Sequence, residues 1–522
     1  MTSAETQSSR APSTDPRDDH PAGVRRILLV MVLLGGLAAV PYLSPALEEV
    51  QPWQPGSPIP FTNLFEFKPP VRSAIAGVAR KGETEQSDEE LLAAAPLPEE
   101  QASTPVRPQR PRDDGATHDE SEDEAELAAL RVDPKQFAGM TRALEGPEDA
   151  MAHFHGQLEA VARGKPGARA RVAVYSDSIN GGDRVTSSLR KQLQDEFGDA
   201  GKGWVPISPG WRYHRHQDVE WSQDRRWRTY VVNRGNGPLD RYGLGGVLAV
   251  NVTPGASATF ATADPDEVAG FSVSRYRLFY QAWPEGGDVL LSVDGEEPSR
   301  LSTRSDEVED RTHTIDVLDG EHSLELKVPD RSSFRGYGMV MERDRPGVVV
   351  DALQLIGAFT RVLKKFDVDH WQDQIRERGT DLTVFWLGGN DTVSSTVPFI
   401  RERFIDDYTE VIRRARGGRP EASCLVISVL DSADTVRGRV RTRSRVPKVV
   451  AAQEEAASKA GCAFFNGYEA IGGRGTMRRW YEASPRLVTS DYRHLTEAGA
   501  RVVGSLFHKA ILKDYDDFLA GQ

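Results

Sequence analysis

The stretch RVAVYSDSINGGDRVTSSLRKQL, from Arg171 to Leu193, decides how the rest of the chain is interpreted. Its apolar start, Val172–Tyr175, is typical of a buried strand, and its end has helical periodicity. Between them lies a glycine-rich turn that contains Ser178. A strand, a tight turn and a helix hold a nucleophile in place and leave backbone N–H groups free to face an anion. Ser178 is therefore a candidate nucleophile, although it could also simply cap the helix.

Length and composition limit the classes of protein to consider. The chain has 522 residues, enough for two or three domains, and its charged fraction of 27% suits a globular body with polar additions. A net charge of −13 gives no indication of a nucleic-acid partner. Neither of the two cysteines has metal-ligand spacing around it, and no cofactor or metal is expected.

The N-terminal region predicts an exported protein. Residues 1–26 are polar, and residues 27–47 are uncharged and long enough to span a bilayer. Arg25–Arg26 before this segment and Glu48–Glu49 after it predict a cytoplasmic tail and an uncleaved inner-membrane anchor, with the catalytic body outside. The alternative is a signal peptide cleaved near Ser44–Ala46 and a secreted protein.

A linker and a globular body follow the anchor. Residues 48–130 are acidic and rich in proline, with too few large apolar side chains to form a core, so we expect a disordered linker. Residues 131–242 and 346–522 alternate apolar strands with helices. This alternation predicts a three-layer α/β domain with a parallel sheet between helices.

The intervening segment, 243–345, has a different period. Short runs such as DVLLSVDG alternate apolar and polar residues, and Asp294–Gly295 and Asp319–Gly320 are strong hairpin signals. We therefore expect an inserted antiparallel β-sandwich. It could bind glycan, or it could only brace the α/β domain.

Tryptophans and histidines cluster after the first helix. Trp204 and Trp211 are two of four tryptophans between residues 204 and 227, and their ring faces could line a sugar site or fill a core. His214 and His216 alternate as in a strand. With no third ligand in view, solvent-facing histidines are a better interpretation than a metal site.

Five residues lie where parallel strands are predicted to end, or before the last helix. They are Ser178, Gly357, Asn390, Asp491 and His494. In open α/β sheets this edge binds ligands. Asp491 lies three residues before His494, so it can hold Nδ1 while Nε2 takes a proton from Ser178. The N–H groups of Ser178 and Gly357 and the amide of Asn390 would form an oxyanion hole.

This order of residues resembles the SGNH, or GDSL-type, hydrolase superfamily, over residues 171–199 and 346–515. Gly388–Asp391 resembles its Gly-x-Asn-Asp block, and Asp491–Thr496 its last block. This chain has Ser176 where the family has glycine, which could narrow the pocket or distort the turn.

The resemblance implies a flavodoxin-like fold. The segment from Asp177 to Trp204 is particularly similar to periplasmic peptidoglycan O-acetylesterases, which also carry an inserted sandwich similar to a carbohydrate-binding module. Trp204, Trp211 and Asp391 are candidates for substrate contacts.

Three functions are compatible with these patterns. The first is an exported esterase that removes O-acyl groups, with O-acetyl favoured, from a cell-envelope glycan such as peptidoglycan. The second is an O-acyltransferase, because the acyl-enzyme intermediate is shared and only the acceptor differs. The third is a catalytically weak glycan-binding protein, against which the intact pair of Asp491 and His494 argues.

The two cysteines begin successive predicted strands. Cys424 and Cys462 would then lie on neighbouring strands at the end of the sheet opposite the catalytic edge. A disulfide is compatible with the strand spacing and an oxidising compartment, but side chains on adjacent parallel strands often point side by side. We expect two reduced, buried thiols that take no part in catalysis.

Overall fold

The computed structural model describes residues 127, 130–212, 214–235, 237–251, 253–264, 269–329, 332–393 and 398–522. The predicted tail, the apolar segment 27–47 and nearly all of the linker lie outside these ranges. Within them, no helix is both long and apolar enough to cross a membrane.

The described residues form strands and helices along most of their length. In chain order the strands are β1 Arg169–Ser176, β2 Gly203–Pro206, β3 Glu220–Gln223, β4 Trp227–Val231, β5 Val247–Asn251, β6 Ser257–Ala261, β7 Val273–Ala282, β8 Asp288–Val293, β9 Ser299–Ser302, β10 Glu309–Gly320, β11 Ser323–Lys327, β12 Arg335–Glu342, β13 Gly347–Gln354, β14 Leu382–Trp386, β15 Ser423–Ile427, β16 Ala433–Val436, β17 Arg439–Thr442 and β18 Ala463–Phe465.

The α-helices are α1 Ala152–Ala162, α2 Arg184–Phe197, α3 Val368–Arg378, α4 Gly389–Val393, α5 Arg401–Arg416, α6 Val446–Ala460, α7 Gly467–Ala470, α8 Thr476–Glu482 and α9 Glu497–Ala520. Short 3₁₀ helices cover Pro134–Phe137, Ser178–Asn180, Pro238–Asp240 and Thr360–Lys365.

The parallel sheet has the strand order β13-β1-β14-β15-β18 and helices on both faces. Strand β1 is buried along almost its whole length, as its apolar run predicts. Val172 and Val174 pack with α1, α2 and α9 on one face. Ala173 and Tyr175 pack with α3, α5 and α6 on the other. Because the strands are parallel, the loops that follow β1, β13 and β14 all lie at the carboxyl edge of the sheet.

Two antiparallel sheets form the sandwich. One has the order β10-β7-β12-β5-β4, with β2 also paired to β12, and the other has the order β3-β6-β11-β8-β9. The strands between residues 203 and 231 therefore belong to these sheets, and the antiparallel region begins earlier in the chain than the predicted residue 243. The polar, turn-rich sequence of β3 and β4 concealed this.

The two predicted hairpins have different outcomes. Asp294 and Gly295, both with positive φ (52° and 76°), follow β8, which pairs with β9 as a hairpin. Asp319–Gly320 does not join a hairpin, because β10 pairs with β7 in one sheet and β11 pairs with β6 and β8 in the other. The Asp-Gly dipeptide at this position instead lies where the chain passes from β10 in one sheet to β11 in the other.

Strand β7 of the sheet β10-β7-β12-β5-β4 is buried on both faces. Leu278 of β7 lies in the sandwich core, whereas its neighbour Phe279 packs into the core shared with the parallel sheet. The sandwich thus braces the α/β domain over one face. A role for the sandwich in glycan binding stays a prediction.

Cys424 and Cys462 form a disulfide, with a Cα–Cα distance of 4.8 Å. Strands β15 and β18 are neighbours, as expected from their succession in the chain. The expectation of two reduced thiols was wrong, because both cysteines immediately precede paired positions and their side chains face each other at the start of the two strands. The disulfide closes a loop that contains α6.

Candidate active site

Ser178 begins a 3₁₀ helix directly after β1. Asp177 caps this helix by accepting a hydrogen bond from the N–H of Ile179 at 3.0 Å. The other carboxylate oxygen of Asp177 accepts from the N–H of Gly389 at 2.8 Å. Burial raises the pKa of Asp177, and these two N–H groups and the nearby His494 and Arg493 oppose the increase. Asp177 therefore joins the loops that follow β1 and β14.

Ser176, which replaces the family glycine, lies inside the fold. It is fully buried, and its hydroxyl accepts a hydrogen bond from the Asn180 amide at 3.3 Å. The side-chain oxygen Oδ1 of Asn180 in turn accepts from the N–H groups of Val185 and Thr186 at 3.1 Å each. Ser176 is not part of the pocket lining, so it does not narrow the pocket.

The structure brings Ser178, His494 and Asp491 into one hydrogen-bonded chain. His494 Nε2 lies 2.8 Å from Ser178 Oγ, and His494 Nδ1 lies 2.5 Å from Asp491 Oδ2. With the proton of the neutral ring on Nδ1, Nε2 is free to accept the serine proton. His494 and Asp491 come from the loop before α9, 316 residues from Ser178.

Asp491 is held ionised by its own loop. Partial burial favours the neutral form, but hydrogen bonds from Thr489 Oγ1 and from the backbone and ring of His494 outweigh burial and lower the pKa of the Asp491 carboxyl. Its Oδ1 accepts from Thr489 Oγ1 at 2.7 Å and from the N–H groups of Arg493 and His494 at 3.0 and 3.1 Å. A carboxylate fixed in this way orients the imidazole.

Gly357 and Asn390 meet across two loops. Gly357 is exposed in the turn after β13 and has a φ of +78°, where a side chain would be strained. The Asn390 amide donates to the Ala358 carbonyl at 3.0 Å, so it does not cap α4. This contact fixes the Gly357 turn beside the pocket. Asn390 lines the pocket, whereas Gly357 lies just outside its lining.

Asp391 is engaged within the protein. Its carboxylate accepts from Thr360 N–H at 3.2 Å and Thr360 Oγ1 at 3.3 Å. Burial raises the pKa of Asp391 to about 6, and these bonds and the nearby Arg361 moderate the increase. Asp391 joins two loops next to the oxyanion candidates.

The pocket at Ser178 opens to solvent, and its empty space, including the part open to solvent, is about 450 Å³. One part of its wall is apolar, with Trp386, Leu387, Val429 and Leu430. Strand β15 ends at Ile427, and Val429 and Leu430 after it form part of this wall. A short acyl chain would fit against such a surface.

Trp204 and Trp211 have different environments. Trp204 is only 1% exposed and packs edge-to-face on Phe279, with ring centroids 5.3 Å apart. It therefore fills the core between the two domains, and its assignment to a sugar site was wrong. Trp211 is half-buried and stacks on His214 with ring centroids 3.6 Å apart, so one face of its ring is already covered.

His214 and His216 are buried, each with 9% exposure, and not solvent-facing as expected. The alternating pattern in the sequence did not reveal the aromatic cover from Trp211 and Trp221. His214 Nδ1 accepts from Gly210 N–H at 3.2 Å. Among the described residues, no three His, Cys, Asp or Glu side chains are grouped so as to hold a metal ion.

Sequence reasoning missed three pocket residues. Asp431, Ser432 and Arg493 line the wall beside His494. The position of Arg493 between Asp491 and His494 in the sequence could have shown that it lies near the pocket. Nothing in the local sequence pattern around Asp431 and Ser432 pointed to the pocket.

The geometry and sequence comparisons define the class of protein. A model of the GDSL-like lipase/acylhydrolase family matches residues 330–502. This segment contains Gly357, Asn390, Asp491 and His494, while Ser178 precedes it. The resemblance to GDSL-type hydrolases is confirmed, and the match identifies the chain as a hydrolase of ester bonds. No curated protein matches the chain in sequence.

Three solved esterase structures are similar to this chain to different degrees. A peptidoglycan O-acetylesterase is 22% identical with a TM-score of 0.60, and the alignment covers 73% of this chain and 99% of that chain. A family two carbohydrate esterase from Cellvibrio japonicus is 12% identical (TM-score 0.19, 46% and 85% covered). An acetyl xylan esterase is 16% identical (TM-score 0.25, 31% and 80% covered). Only the first shows a common fold.

Proposed function

We propose that the chain is an exported serine esterase that removes O-acetyl groups from a cell-envelope polysaccharide such as peptidoglycan. The observation that carries this proposal is the hydrogen-bonded chain from Ser178 through His494 to Asp491 at an open pocket. The shared fold of a peptidoglycan O-acetylesterase supports the choice of acyl group and glycan. Export rests on the apolar segment 27–47, which would anchor the body outside the inner membrane.

In the first step, Ser178 Oγ attacks the acetyl carbonyl carbon. His494 Nε2, at 2.8 Å from Oγ, accepts the hydroxyl proton. Asp491 holds Nδ1–H and stabilises the imidazolium that forms, without itself taking up the proton. The attack gives a tetrahedral intermediate with a negatively charged oxygen.

Three donors would stabilise this oxygen. They are the backbone N–H groups of Ser178 and Gly357 and the side-chain amide of Asn390. The hydrogen bond from Asn390 to Ala358 uses one amide proton, and the second remains for the oxyanion. Because the contact also holds the Gly357 turn, two of the donors would be positioned before substrate binds.

Collapse of the intermediate releases the glycan hydroxyl, which takes the proton from His494. Water then attacks the acetyl-enzyme, with His494 again as the base, and a second tetrahedral intermediate forms. Its collapse breaks the bond to Ser178 Oγ and releases acetate, and His494 returns the proton to Ser178. The open pocket admits water as the second acceptor.

Acetate release from O-acetylated peptidoglycan by the full chain and by the Ser178→Ala variant tests the proposal. We expect release by the wild type and loss of at least about a thousandfold in the variant. Equal rates would eliminate Ser178 as nucleophile. Acetyl transfer to an added glycan, in place of acetate release, would contradict hydrolysis as the reaction.

A further inference from the structure

An arginine-rich hairpin lies beside the pocket. The segment Ala433–Arg445, which includes β16 and β17, carries five arginines and one acidic residue, Asp434, in a chain of net charge −13. We call it the arginine hairpin. Its arginines are Arg437, Arg439, Arg441, Arg443 and Arg445. Such a local concentration of positive charge in an acidic chain attracts anions.

The alternation of β17 places its arginines on the outer face. Val440 packs against the hydrophobic core and Thr442 is buried. Arg439 and Arg441, on the opposite face of the strand, are exposed, and so is Arg437 at the turn. These exposed arginines repel one another and do not contribute to core packing. Stability of the fold therefore does not explain why they are there.

The base of the arginine hairpin is bonded to the triad loop. The N–H of Ala433 donates to the carbonyl of Tyr492 at 3.1 Å, and the N–H of Arg443 donates to the carbonyl of Ser432 at 2.8 Å. Tyr492 lies between Asp491 and His494. The hairpin is therefore fixed at the rim of the pocket where the glycan would extend beyond its ester.

Arg493 continues the positive charge into the pocket. It lines the wall beside His494, and its buried Nε has no hydrogen-bond partner. In the described part of the chain, its guanidinium forms no hydrogen bond or ion pair. Nearby, Ser432 is 5% exposed and its hydroxyl is also without a partner. Two polar groups are thus buried at this wall without the partners that such groups require.

One acidic residue beside Arg493, Asp431, lines the same wall and indicates what else can bind there. Asp431 Oδ2 accepts from Thr442 Oγ1 and Met477 N–H at 3.2 Å each, and its Oδ1 has no partner. Asp434 pairs with Arg443. An unpartnered carboxylate oxygen suits a sugar hydroxyl, whereas Arg493 suits an anionic group.

We propose that the arginine hairpin, with Arg493 and Ser432, binds carboxylate groups of the glycan strand that carries the acyl ester. This inference rests on the proposed esterase function and narrows its substrates to acidic glycans. An anionic lipid surface would also attract arginines, but it would give no reason for the unpartnered Arg493 and Ser432 within the pocket.

Two polymers that differ only in charge test this inference. We suggest O-acetylated polygalacturonate and the same material with its carboxylates methyl-esterified, with kcat/KM measured from acetate release. The wild type should favour the anionic polymer by roughly tenfold, and added salt should reduce this ratio. The triple variant R437Q/R439Q/R441Q and the variant Arg493→Gln should each lower the ratio severalfold.

The charge-conserving variant R437K/R439K/R441K is the matched control and should keep most of the preference. A ratio near one in the wild type, or a ratio that the glutamine variants do not change, would overturn the inference. So would binding to vesicles of anionic phospholipid without discrimination between the polymers. If Ser178→Ala retained acetate release, the esterase proposal itself would fail, which is a separate outcome.

Discussion

Two loops of this protein contain histidines, and the surroundings of these histidines give them different roles. His494 is about one third exposed, and both of its ring nitrogens have partners, Asp491 and Ser178. His214 and His216 are buried, and three of their four ring nitrogens have no partner. A histidine that exchanges protons needs a fixed tautomer and access to its substrate, which only the first loop provides. Histidine content alone would not separate the two.

The difference between the loops comes from what surrounds each ring. The loop of His494 has hydrogen-bond acceptors and an open pocket. The other loop has Trp211 and Trp221 against its rings and Asp183 near His216, with His216 Nδ1 3.8 Å from the carboxylate. Burial lowers the pKa of His214 to about 3, in opposition to the charge of Asp183. The buried pair therefore stays neutral.

The largest expected effect comes from substitutions in the loop that contains His494. His494→Ala should reduce kcat by at least about a thousandfold, because Ser178 loses its base. Asp491→Asn should cost as much or less. Measurement of acetate release with purified variants checks both.

The matched control for this prediction is Ser176→Gly, which restores the family residue two positions before Ser178. It should keep kcat within about threefold, since Ser176 does not line the pocket. A near-normal rate for His494→Ala would remove the proposed triad.

Asn390→Ala tests the oxyanion candidate that lines the same pocket as His494. We expect a loss of about 2.7–4 kcal/mol of transition-state stabilisation, with little change in KM, as for other oxyanion donors. Steady-state kinetics and a melting curve on the same samples check it.

Asn466→Ala is a matched control, because Asn466 caps α7 by accepting from Glu469 N–H at 3.1 Å. That variant should lose about 1 kcal/mol of stability and keep its rate. If Asn390→Ala behaved in the same way, Asn390 would be structural only.

Much of the catalytic edge could be predicted because its signals are local. The apolar run of β1 gave the strand before Ser178, and the spacing of Asp491 and His494 put both on one loop. The order of the blocks then suggested where they would meet, at the carboxyl edge of a parallel sheet.

The missed features depend on contacts between distant segments. Trp204 was a candidate for a sugar contact or for core packing, and it packs on Phe279, 75 residues away in sequence, in the core shared with the parallel sheet. The arginine hairpin lacks the apolar alternation by which strands are recognised, since Val440 is the only apolar residue of β17. The disulfide depended on how two neighbouring side chains point, which spacing does not give.

His214→Gln tests the second loop. The folded pKa of His214, about 3, is below the value of 6.5 for an unperturbed histidine, so its neutral form stabilises the fold above pH 6.5 and this contribution is lost as the pH falls towards 3. Removal of the titrating ring should therefore raise stability at pH 5 relative to pH 7, by about 2 kcal/mol compared with the wild type.

Urea unfolding at the two pH values measures this change. The same variant should retain kcat within about threefold, in contrast to His494→Ala. A pH dependence identical to that of the wild type would show that His214 does not control acid stability, and a large loss of kcat would erase the distinction between the loops.

The smallest expected effect is that of a substitution at Asp391. This residue is next to Asn390, the oxyanion-hole candidate, but its carboxylate accepts hydrogen bonds from Thr360. Its folded pKa of about 6 is above the ordinary value of 3.8, so its contribution to stability is complete below pH 3.8 and is lost as the pH rises through 6. Asp391→Asn removes the charge and should be relatively more stable at pH 7 than at pH 4.5, by about 1 kcal/mol after allowance for solvent screening. Chemical unfolding at both pH values checks it, with the exposed Asp406→Asn on α5 as the control for a change in net charge.

If Asp391 contacted substrate, as its place in the motif suggested, the variant would raise KM severalfold. Since its carboxylate is occupied by Thr360, we expect KM to stay within about twofold, and the pH dependence of stability to be the only change.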